Sequence, residues 1–289
     1  MSDIHISSRW RDYELIDCSD GERLERWGET VLIRPDPQVI WKTPKGADWK
    51  RADARYIRSS SGGGRWEYLK KVPSDIRVSY GNLKFKIGLT GFKHTGLFPE
   101  QAANWDLIAD IIAKSGRADV KVLNLFAYTG AATVSALAAG AAVTHVDAAK
   151  GMVSWARENA ALCGVADRPV RWIVDDCFKF VQREIRRGSR YDIIIMDPPS
   201  YGRGPGGEVW KLEDTLYDLV SACAGLLGDR ALAFLINSYT AGLSPSVMSC
   251  IMTAALGKVK GVDSYELGLP VSSSGTVLPC GGSCLGKDF

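Results

Sequence analysis

From about residue 99 onward the sequence alternates short apolar runs with longer amphipathic stretches. No other feature constrains the fold as much. The runs at 120–126, 142–146, 170–174, 191–196 and 231–236 are strand-like and bounded by turn residues, as expected of strands buried on both faces. Between them, 130–139, 150–163, 178–187, 209–227 and 244–256 read as helices. A further helix opens at Pro99 and Glu100, where proline suits the first turn and the acid its positive end. It continues with Trp105, Ile108 and Ile112 along one face. Two strand-like stretches, near 262–267 and 275–279, close the chain. This alternation predicts a mostly parallel sheet covered on both faces. Ligands of such sheets lie outside the carboxyl ends of the strands, where strand order reverses. The residues directly after each strand are therefore the candidates for function.

The first ninety residues differ. Segments 13–18, 30–33 and 39–41 are short, rich in β-branched or aromatic residues, and bounded by Gly, Asp or Pro, which is strand-and-turn texture. Residues 59–64 read SSSGGG, a flexible loop by composition. The expected organisation is a β-rich substrate-binding domain over 1–90 and a catalytic domain over 91–289. A length of 289 residues, 46% of them apolar and 24% charged, suits one large domain plus a smaller one. It excludes disorder and disulfide-scaffold chemistry. No apolar run reaches the ~18 residues needed to span a bilayer, and the N-terminus is polar, so a cytoplasmic location without membrane partners is expected. The seven cysteines are scattered without a C-x-x-C pair, Cys280 and Cys284 have no accompanying cluster, and there are three histidines. No metal site is expected.

Four strand ends carry chemistry. The first reads Asn124-Leu125-Phe126-Ala127-Tyr128-Thr129-Gly130, a turn into a small-residue helix that lets a ligand approach the backbone. The second ends in Asp147, 23 residues after Asn124. A carboxylate there is placed to accept both hydroxyls of a ribose, or to cap the following helix. The third ends Asp175-Asp176-Cys177-Phe178, and an acid there serves an adenine amino group or a helix N-cap. The fourth ends Asp197-Pro198-Pro199-Ser200-Tyr201. Two prolines fix φ and remove two amide donors, leaving carbonyls for a ligand's amino group. G-x-G-x-x-G is absent, which disfavours a dinucleotide enzyme.

In order and spacing these segments resemble a class I S-adenosylmethionine-dependent methyltransferase. More narrowly, from about residue 88 to 239, the chain resembles the large-subunit ribosomal RNA methyltransferases that include cytosine-C5 and guanine-N7 enzymes. His94-Thr95-Gly96-Leu97-Phe98-Pro99-Glu100-Gln101 is similar to that family's T-G-x-F-x-[DE]-Q signature. The resemblance implies a Rossmann-like, seven-stranded, mostly parallel α/β sheet with a smaller N-terminal β-rich domain. It implies that Phe126, Ala127, Tyr128, Thr129 and Gly130 cradle the methionine end of S-adenosyl-L-methionine. Asp147 with Ala148 would take the ribose, Asp176 and Cys177 would flank adenine, and Gln101 of the signature would join the cofactor site. Asp197, Pro198 and Pro199 would border the transfer site as the catalytic step.

The chain departs from the family in two ways. No small N-terminal RNA-binding barrel is expected within these residues; the first ~85 look like the family's middle β-rich domain. Cytosine-C5 transfer also uses a cysteine thiolate after the fifth strand to attack the ring, where this chain has Asn237-Ser238-Tyr239. A route without a cysteine nucleophile is expected. Residues 41–93 carry a net +9 and the remainder −6. Trp41, Trp49, Tyr56, Trp66, Tyr68 and Tyr80 lie among the basic residues. Basic groups for phosphates and aromatic faces for unstacked bases suit single-stranded RNA; the alternative is a solvated surface over an aromatic core. The expected partner is RNA, ribosomal by the resemblance, with a homodimer kept open. A small-molecule or protein methyltransferase, and a catalytically silent binding module, remain alternatives.

Overall fold

The computed structural model describes residues 3–7, 9–59, 63–203, 209–257 and 259–289; residues 60–62 of the expected glycine-rich loop lie outside the described residues. The chain divides into two compact units, one of Ile6–Ala102 with Gly268–Cys280 and one of Met1–His5, Ala103–Leu267 and Gly281–Phe289.

A short strand β1 (Ile4–Ile6) comes first and is an edge of the large sheet described below. In the smaller unit, β2 (Tyr13–Ser19), β3 (Glu22–Trp27), β4 (Thr30–Pro35), β5 (Ala54–Arg58) and β6 (Gly64–Tyr68) form a five-stranded sheet in sequence order. Strands β7 (Ile76–Tyr80) and β8 (Leu83–Ile87) pair as a separate hairpin. The unit extends to Ala102, beyond the expected domain boundary at residue 90, and it includes a late segment expected in the larger domain. Val271 bridges Leu15, the Ser272 and Ser273 amides donate to the Leu15 and Ile16 carbonyls at 3.0 and 2.9 Å, and the Gln38 amide reaches the Cys280 carbonyl at 3.1 Å. Residues 39–41 are not a strand: they lie along the β2–β3 turn, the Val39 and Trp41 carbonyls accepting from the Gly21 and Asp20 amides.

Leu24, Val31, Ile33, Trp49 and Ala52 form a core in this unit. Beside it, Glu25 is completely buried. Its carboxylate takes two hydrogen bonds from the Arg34 guanidinium, at 2.5 and 2.7 Å, and one from the Tyr13 hydroxyl at 2.8 Å. Arg23 lies 3.6 Å away and pairs with Asp36 at 2.7 Å. Of the aromatics interleaved with basic residues, Trp49, Tyr56, Trp66 and Tyr80 are buried, whereas Trp41 and Tyr68 are 40% and 59% exposed.

In the larger unit the order is α1 (Ala102–Lys114), β9 (Lys121–Leu125), α2 (Ala131–Ala138), β10 (Ala142–Asp147), α3 (Lys150–Leu162), β11 (Val170–Val174), α4 (Cys177–Arg186), β12 (Ile193–Met196), β13 (Tyr201–Arg203), β14 (Val209–Lys211), α5 (Leu212–Ala224), β15 (Ala233–Ser238), α6 (Pro245–Leu256), β16 (Gly261–Pro270) and β17 (Val277–Lys287). The sheet order is β1-β16-β17-β15-β12-β9-β10-β11. It has eight strands rather than the expected seven, because the N-terminal residues add an edge strand whose brevity hid it. Strands β11, β10, β9, β12 and β15 are parallel, and β17 runs antiparallel to β15. From β9 the chain winds outward through β10 and β11, then crosses back to β12 and β15. The order reverses between β9 and β12, and ligands of such sheets bind beyond the strand ends at that point. The helix expected over 209–227 begins three residues late, since Val209–Lys211 pairs with Tyr201–Arg203 as a hairpin. Among the described residues no helix is long and apolar enough to cross a membrane, and no group of His, Cys, Asp and Glu is arranged to hold a metal ion.

Candidate active site at the carboxyl edge of the sheet

The turn after β9 is held in an unusual backbone conformation. Phe126 and Tyr128 have φ of +54° and +50°, and Gly130 has +81°. L-residues pay for the left-handed region, so the surroundings must impose it. The Phe126 amide donates to the Cys177 sulfur at 3.2 Å, the Ala127 amide to the Val146 carbonyl at 3.0 Å, and the Tyr128 amide to Asp147 Oδ2 at 2.8 Å. The Asn159 amide holds the Thr129 carbonyl at 2.9 Å from α3. At Gly130 an added Cβ would lie 2.6 Å from Ala156 Cβ, so only glycine lets α2 start this close to α3. Beneath the turn lies a buried line from Asn124 through the Thr133 hydroxyl to His145 Nδ1, with contacts of 3.0 and 2.9 Å. Burial, helped by Arg157, holds the His145 imidazole down at about 3, so the ring beneath the turn is neutral at neutral pH.

Asp147 closes β10. Oδ2 takes the Tyr128 amide and Oδ1 takes the Ala149 amide at 2.8 Å. The second contact ties Asp147 to the entry of α3, whose N-cap residue is Ala149. Burial raises its carboxyl above the usual range, and the Ala149 and Tyr128 amides pull it back. Each oxygen has a further acceptor position beyond its backbone partner. Ala148 is exposed beside it.

After β11 the acids are differently engaged. Asp176 caps α4, accepting from the Lys179 amide at 2.8 Å, and Asp175 pairs with Arg183. Cys177 is buried with its sulfur between the Phe126 amide and the Val146 carbonyl. Burial pushes its thiol far above the usual range, with the Phe126 amide opposing, so it acts as a neutral tie between this strand end and the turn.

After β12, Asp197 Oδ1 accepts from Asn237 Nδ2 at 2.9 Å. The Pro199 carbonyl, which the sequence left for a ligand, already accepts the Trp210 indole N–H at 2.6 Å. Trp210 in turn lies against Phe126, with ring centroids 5.3 Å apart. Ser200 and Thr240 share a hydroxyl hydrogen bond of 2.6 Å.

The structure thus brings Phe126 to Gly130, Asp147, Asp176, Cys177 and Asp197 to Pro199 together at one edge. Gln101 ends the short turn Pro99–Gln101 in the other unit. Sequence reasoning missed Trp210, which continues an apparent helical period, and it read Asn237 only as a missing cysteine. A glycine that tolerates no Cβ and a carboxylate with acceptor positions left over fit an adenosyl cofactor lying across the strand ends.

Residues 53–216 match the family described as S-adenosylmethionine-dependent methyltransferase. The crystal structure of an S-adenosylmethionine-dependent methyltransferase from Agrobacterium tumefaciens is similar, with 38% identity, 98% of this chain and 93% of that one covered, and a TM-score of 0.92. A putative methyltransferase from Streptococcus mutans shares the fold at 19% identity and a TM-score of 0.74, over 97% of this chain and 76% of that one. Among curated relatives, a ribosomal RNA large subunit methyltransferase K/L from Shewanella sp. (strain MR-4) is 34% identical over 204 residues, 69% of this chain and 27% of that protein. The chain spans about a quarter of the length of the curated relatives it matches. With its strand order, its Gly130 cradle and this match over more than half its length, the chain belongs to the S-adenosylmethionine-dependent methyltransferase family.

Proposed function

We propose that the chain transfers a methyl group from S-adenosylmethionine to a base in RNA, ribosomal RNA in the first instance, without a cysteine nucleophile. The unit of Ile6–Ala102 with Gly268–Cys280 serves substrate binding in this reading, and the larger unit carries the transfer. The observation that carries it is the pairing of two aromatic side chains, Trp210 tilted against Phe126, with the Asp197 carboxylate one strand end away. A planar base stacks on the first and has an amino group oriented by the second. When bound, the cofactor supplies an electrophilic methyl group on a sulfonium. Phe126 to Gly130 hold its methionine end, Asp147 with Ala148 its ribose, and Asp176 with Cys177 border its adenine; Gln101 is assigned to the same cofactor. Asp197 with Pro198 and Pro199 aligns the acceptor, and an in-line displacement gains most from such positioning. The curated relatives named for ribosomal RNA support this choice of acceptor. The amide of Asn237 at the strand end supports the route without a cysteine nucleophile, because it cannot attack a ring as a thiolate would.

A second reading, a small-molecule or protein acceptor, draws on the basic segment itself. Lys42, Lys45, Arg51 and Arg55 are engaged by Asp20, Glu22, Asp48 and Glu22, and of its tryptophans and tyrosines Trp49, Tyr56, Trp66 and Tyr80 are buried. Lys50, Arg58 and Arg65 are exposed and without an ion pair among the described residues. Neutralising these three is expected to weaken RNA binding and flatten its salt dependence, each lost phosphate contact lowering the slope of log K against log salt by about 0.7 to 0.9. A wild-type slope in the triple variant removes the segment from RNA binding. Mass-spectrometric mapping of modified nucleosides decides between the readings. One methylated nucleoside should vanish from ribosomal RNA of a deletion strain and return when purified protein and cofactor are added. An unchanged nucleoside profile favours the second reading.

Replacing Asp147 by alanine removes the ribose acceptors and frees the Tyr128 and Ala149 amides. Calorimetry is expected to show a loss of about 1–3 kcal/mol, roughly 5- to 150-fold in cofactor affinity. Unchanged affinity in a folded variant takes Asp147 out of the site.

A further inference from the structure

Behind Asp197 runs a line of buried polar side chains that the transfer chemistry does not touch. The Tyr265 hydroxyl on β16 donates to Asn104 Oδ1 on α1 at 2.8 Å. Asn104 Nδ2 donates to Ser283 Oγ on β17 at 3.1 Å. The Ser283 hydroxyl donates to Asn237 Oδ1 on β15 at 2.9 Å, and Asn237 Nδ2 donates to Asp197 Oδ1 after β12 at 2.9 Å. Asn237 and Ser283 are direct partners in the β15–β17 register, so their side chains stand on one face of the sheet. The line crosses the sheet in strand order, β16, β17, β15, β12, with Asn104 bridging the first two. Tyr265, Asn104, Ser283 and Asn237 are all at most 2% exposed. The Tyr265 ring stacks on His5 at 3.8 Å between centroids.

The direction of the line is set by chemistry. A carboxylate only accepts, an amide oxygen only accepts, an amide nitrogen only donates, and a serine hydroxyl has one proton to give. Asp197 calls for a donor, so Asn237 must present Nδ2, and its oxygen then needs the Ser283 proton. Ser283, having given its proton, accepts from Asn104 Nδ2, whose oxygen is then fixed on Tyr265. Ser283 also lies within hydrogen-bonding reach of the Tyr265 hydroxyl. Burial, reinforced by Cys284, drives the Tyr265 phenol well above its ordinary range, with Ser283 opposing, so the terminal donor keeps its proton throughout the working pH range. Polar groups buried in a core cost stability unless satisfied, and a fully satisfied network is stiff. Removing any member frees the next amide to turn over and present oxygen where nitrogen was needed.

We infer that Tyr265, Asn104, Ser283 and Asn237 form a one-way hydrogen-bond relay that holds the Asp197 carboxylate as an oriented acceptor, which makes them positioning residues for methyl transfer. The inference rests on the assignment of Asp197 to the transfer site, and the tests separate the two.

The first test needs no substrate. In the full-length protein the Asn237 side-chain amide protons, assigned by their loss in Asn237→Ala, are expected to be shifted downfield and protected from exchange. Both features should be lost in Asp197→Asn, and weakened in Ser283→Ala and Tyr265→Phe. Tyr191→Phe is the matched control, because it removes a buried hydroxyl bound to the Glu184 carboxylate of α4, which is not a member of this line. An Asn237 signal that responds to Tyr265→Phe no more than to Tyr191→Phe overturns the relay.

The second test reads turnover, as single-turnover transfer of labelled methyl to ribosomal RNA from a deletion strain. Asp197→Asn and Asn237→Ala should lose at least tenfold in rate, and Ser283→Ala and Tyr265→Phe about threefold or more, with the KM for cofactor within twofold of wild type. Asn237→Asp sets two carboxylates against each other, and such a pair favours sharing a proton. Its rate relative to wild type should therefore climb as pH falls from about 8 to about 6, when the shared proton again supplies a donor to Asp197. A merely structural role produces no such profile. A slow Asp197→Asn beside a Tyr265→Phe as fast as Tyr191→Phe overturns the relay and leaves the Asp197 assignment standing. A normal rate in Asp197→Asn overturns both.

Discussion

Gly130→Ala is expected to weaken cofactor binding by about 30-fold or more while leaving a folded protein. The residue sits at φ +81°, and a Cβ there would lie 2.6 Å from Ala156 Cβ and 3.3 Å from Ala156 Cα. Neither neighbour is the end of a flexible chain, so α2 or α3 must move. The left-handed conformation costs an L-residue about 1–2 kcal/mol, and overpacking a tight contact adds about 1–3 kcal/mol. The turn relieves this by leaving the conformation in which the Tyr128 amide meets Asp147. A penalty of roughly 2–5 kcal/mol on the binding-competent turn lowers affinity about 30- to several thousand-fold. Calorimetry of Gly130→Ala alone and with Ala156→Gly checks the cause. The second change removes the overlap but not the strained φ, so it should restore part of the affinity, and the coupling between the two sites should be favourable. Additive losses would place the damage elsewhere.

The largest stability effect is expected at Glu25. Substitution by alanine leaves the Arg34 guanidinium buried beside Arg23 with its carboxylate partner gone. Breaking a buried pair in this way costs about 3–5 kcal/mol. Against a total of about 5–15 kcal/mol for a domain, the melting temperature should fall by more than about ten degrees. The pH dependence has a definite sign. Burial pushes the Glu25 carboxyl up, but Arg34 and Arg23, with the Arg34 and Tyr13 hydrogen bonds, hold it below its ordinary range overall. In the unfolded chain a glutamate titrates at about 4.3. Its contribution is therefore fully present above that pH and is lost as pH falls through the lower folded value. Melting curves of wild type and Glu25→Gln should be widely separated at neutral pH and converge in acid. A constant separation down to about pH 3 would assign the loss to packing instead.

The parallel half of the fold was legible because each of its strands is an apolar run followed by a turn residue. The acids and glycines that shape the site sit in those turns. Periodicity could not show that Val209 and Trp210 precede the helix, because Leu212 and Leu216 share the same spacing and Leu212–Ala224 is a true helix. The closing antiparallel pair was read too short for a different reason. Val277–Lys287 contains Gly281, Gly282 and Gly286, which look like turn punctuation. In the structure an added Cβ at these positions would meet Tyr239, Met248 with Pro245, and Met252. They mark close approach of neighbouring side chains to a straight strand. The aromatics of the basic segment misled in the opposite direction: charge at alternate positions is the outer face of strands whose inner face is Tyr56 and Trp66. Asn237 was visible as a position, but its partner Ser283 lies 46 residues away and Ser283's own donor Asn104 a further 179 from Ser283, and only the folded sheet joins them.

The return of Gly268–Cys280 to the unit of Ile6–Ala102 sets a timetable for biosynthesis. A chain leaving the ribosome at about 5–20 residues per second needs roughly 10–30 s after Ala102 to produce Val271. Until then Leu15 lacks its bridge, and the Leu15 and Ile16 carbonyls lack their late amides. The first-made sheet therefore waits, incomplete along β2, while the entire parallel half is translated. Its exposed strand is the segment most open to wrong pairing during that interval, and nascent chains stalled before residue 268 should be more sensitive to protease in the first hundred residues than the finished protein.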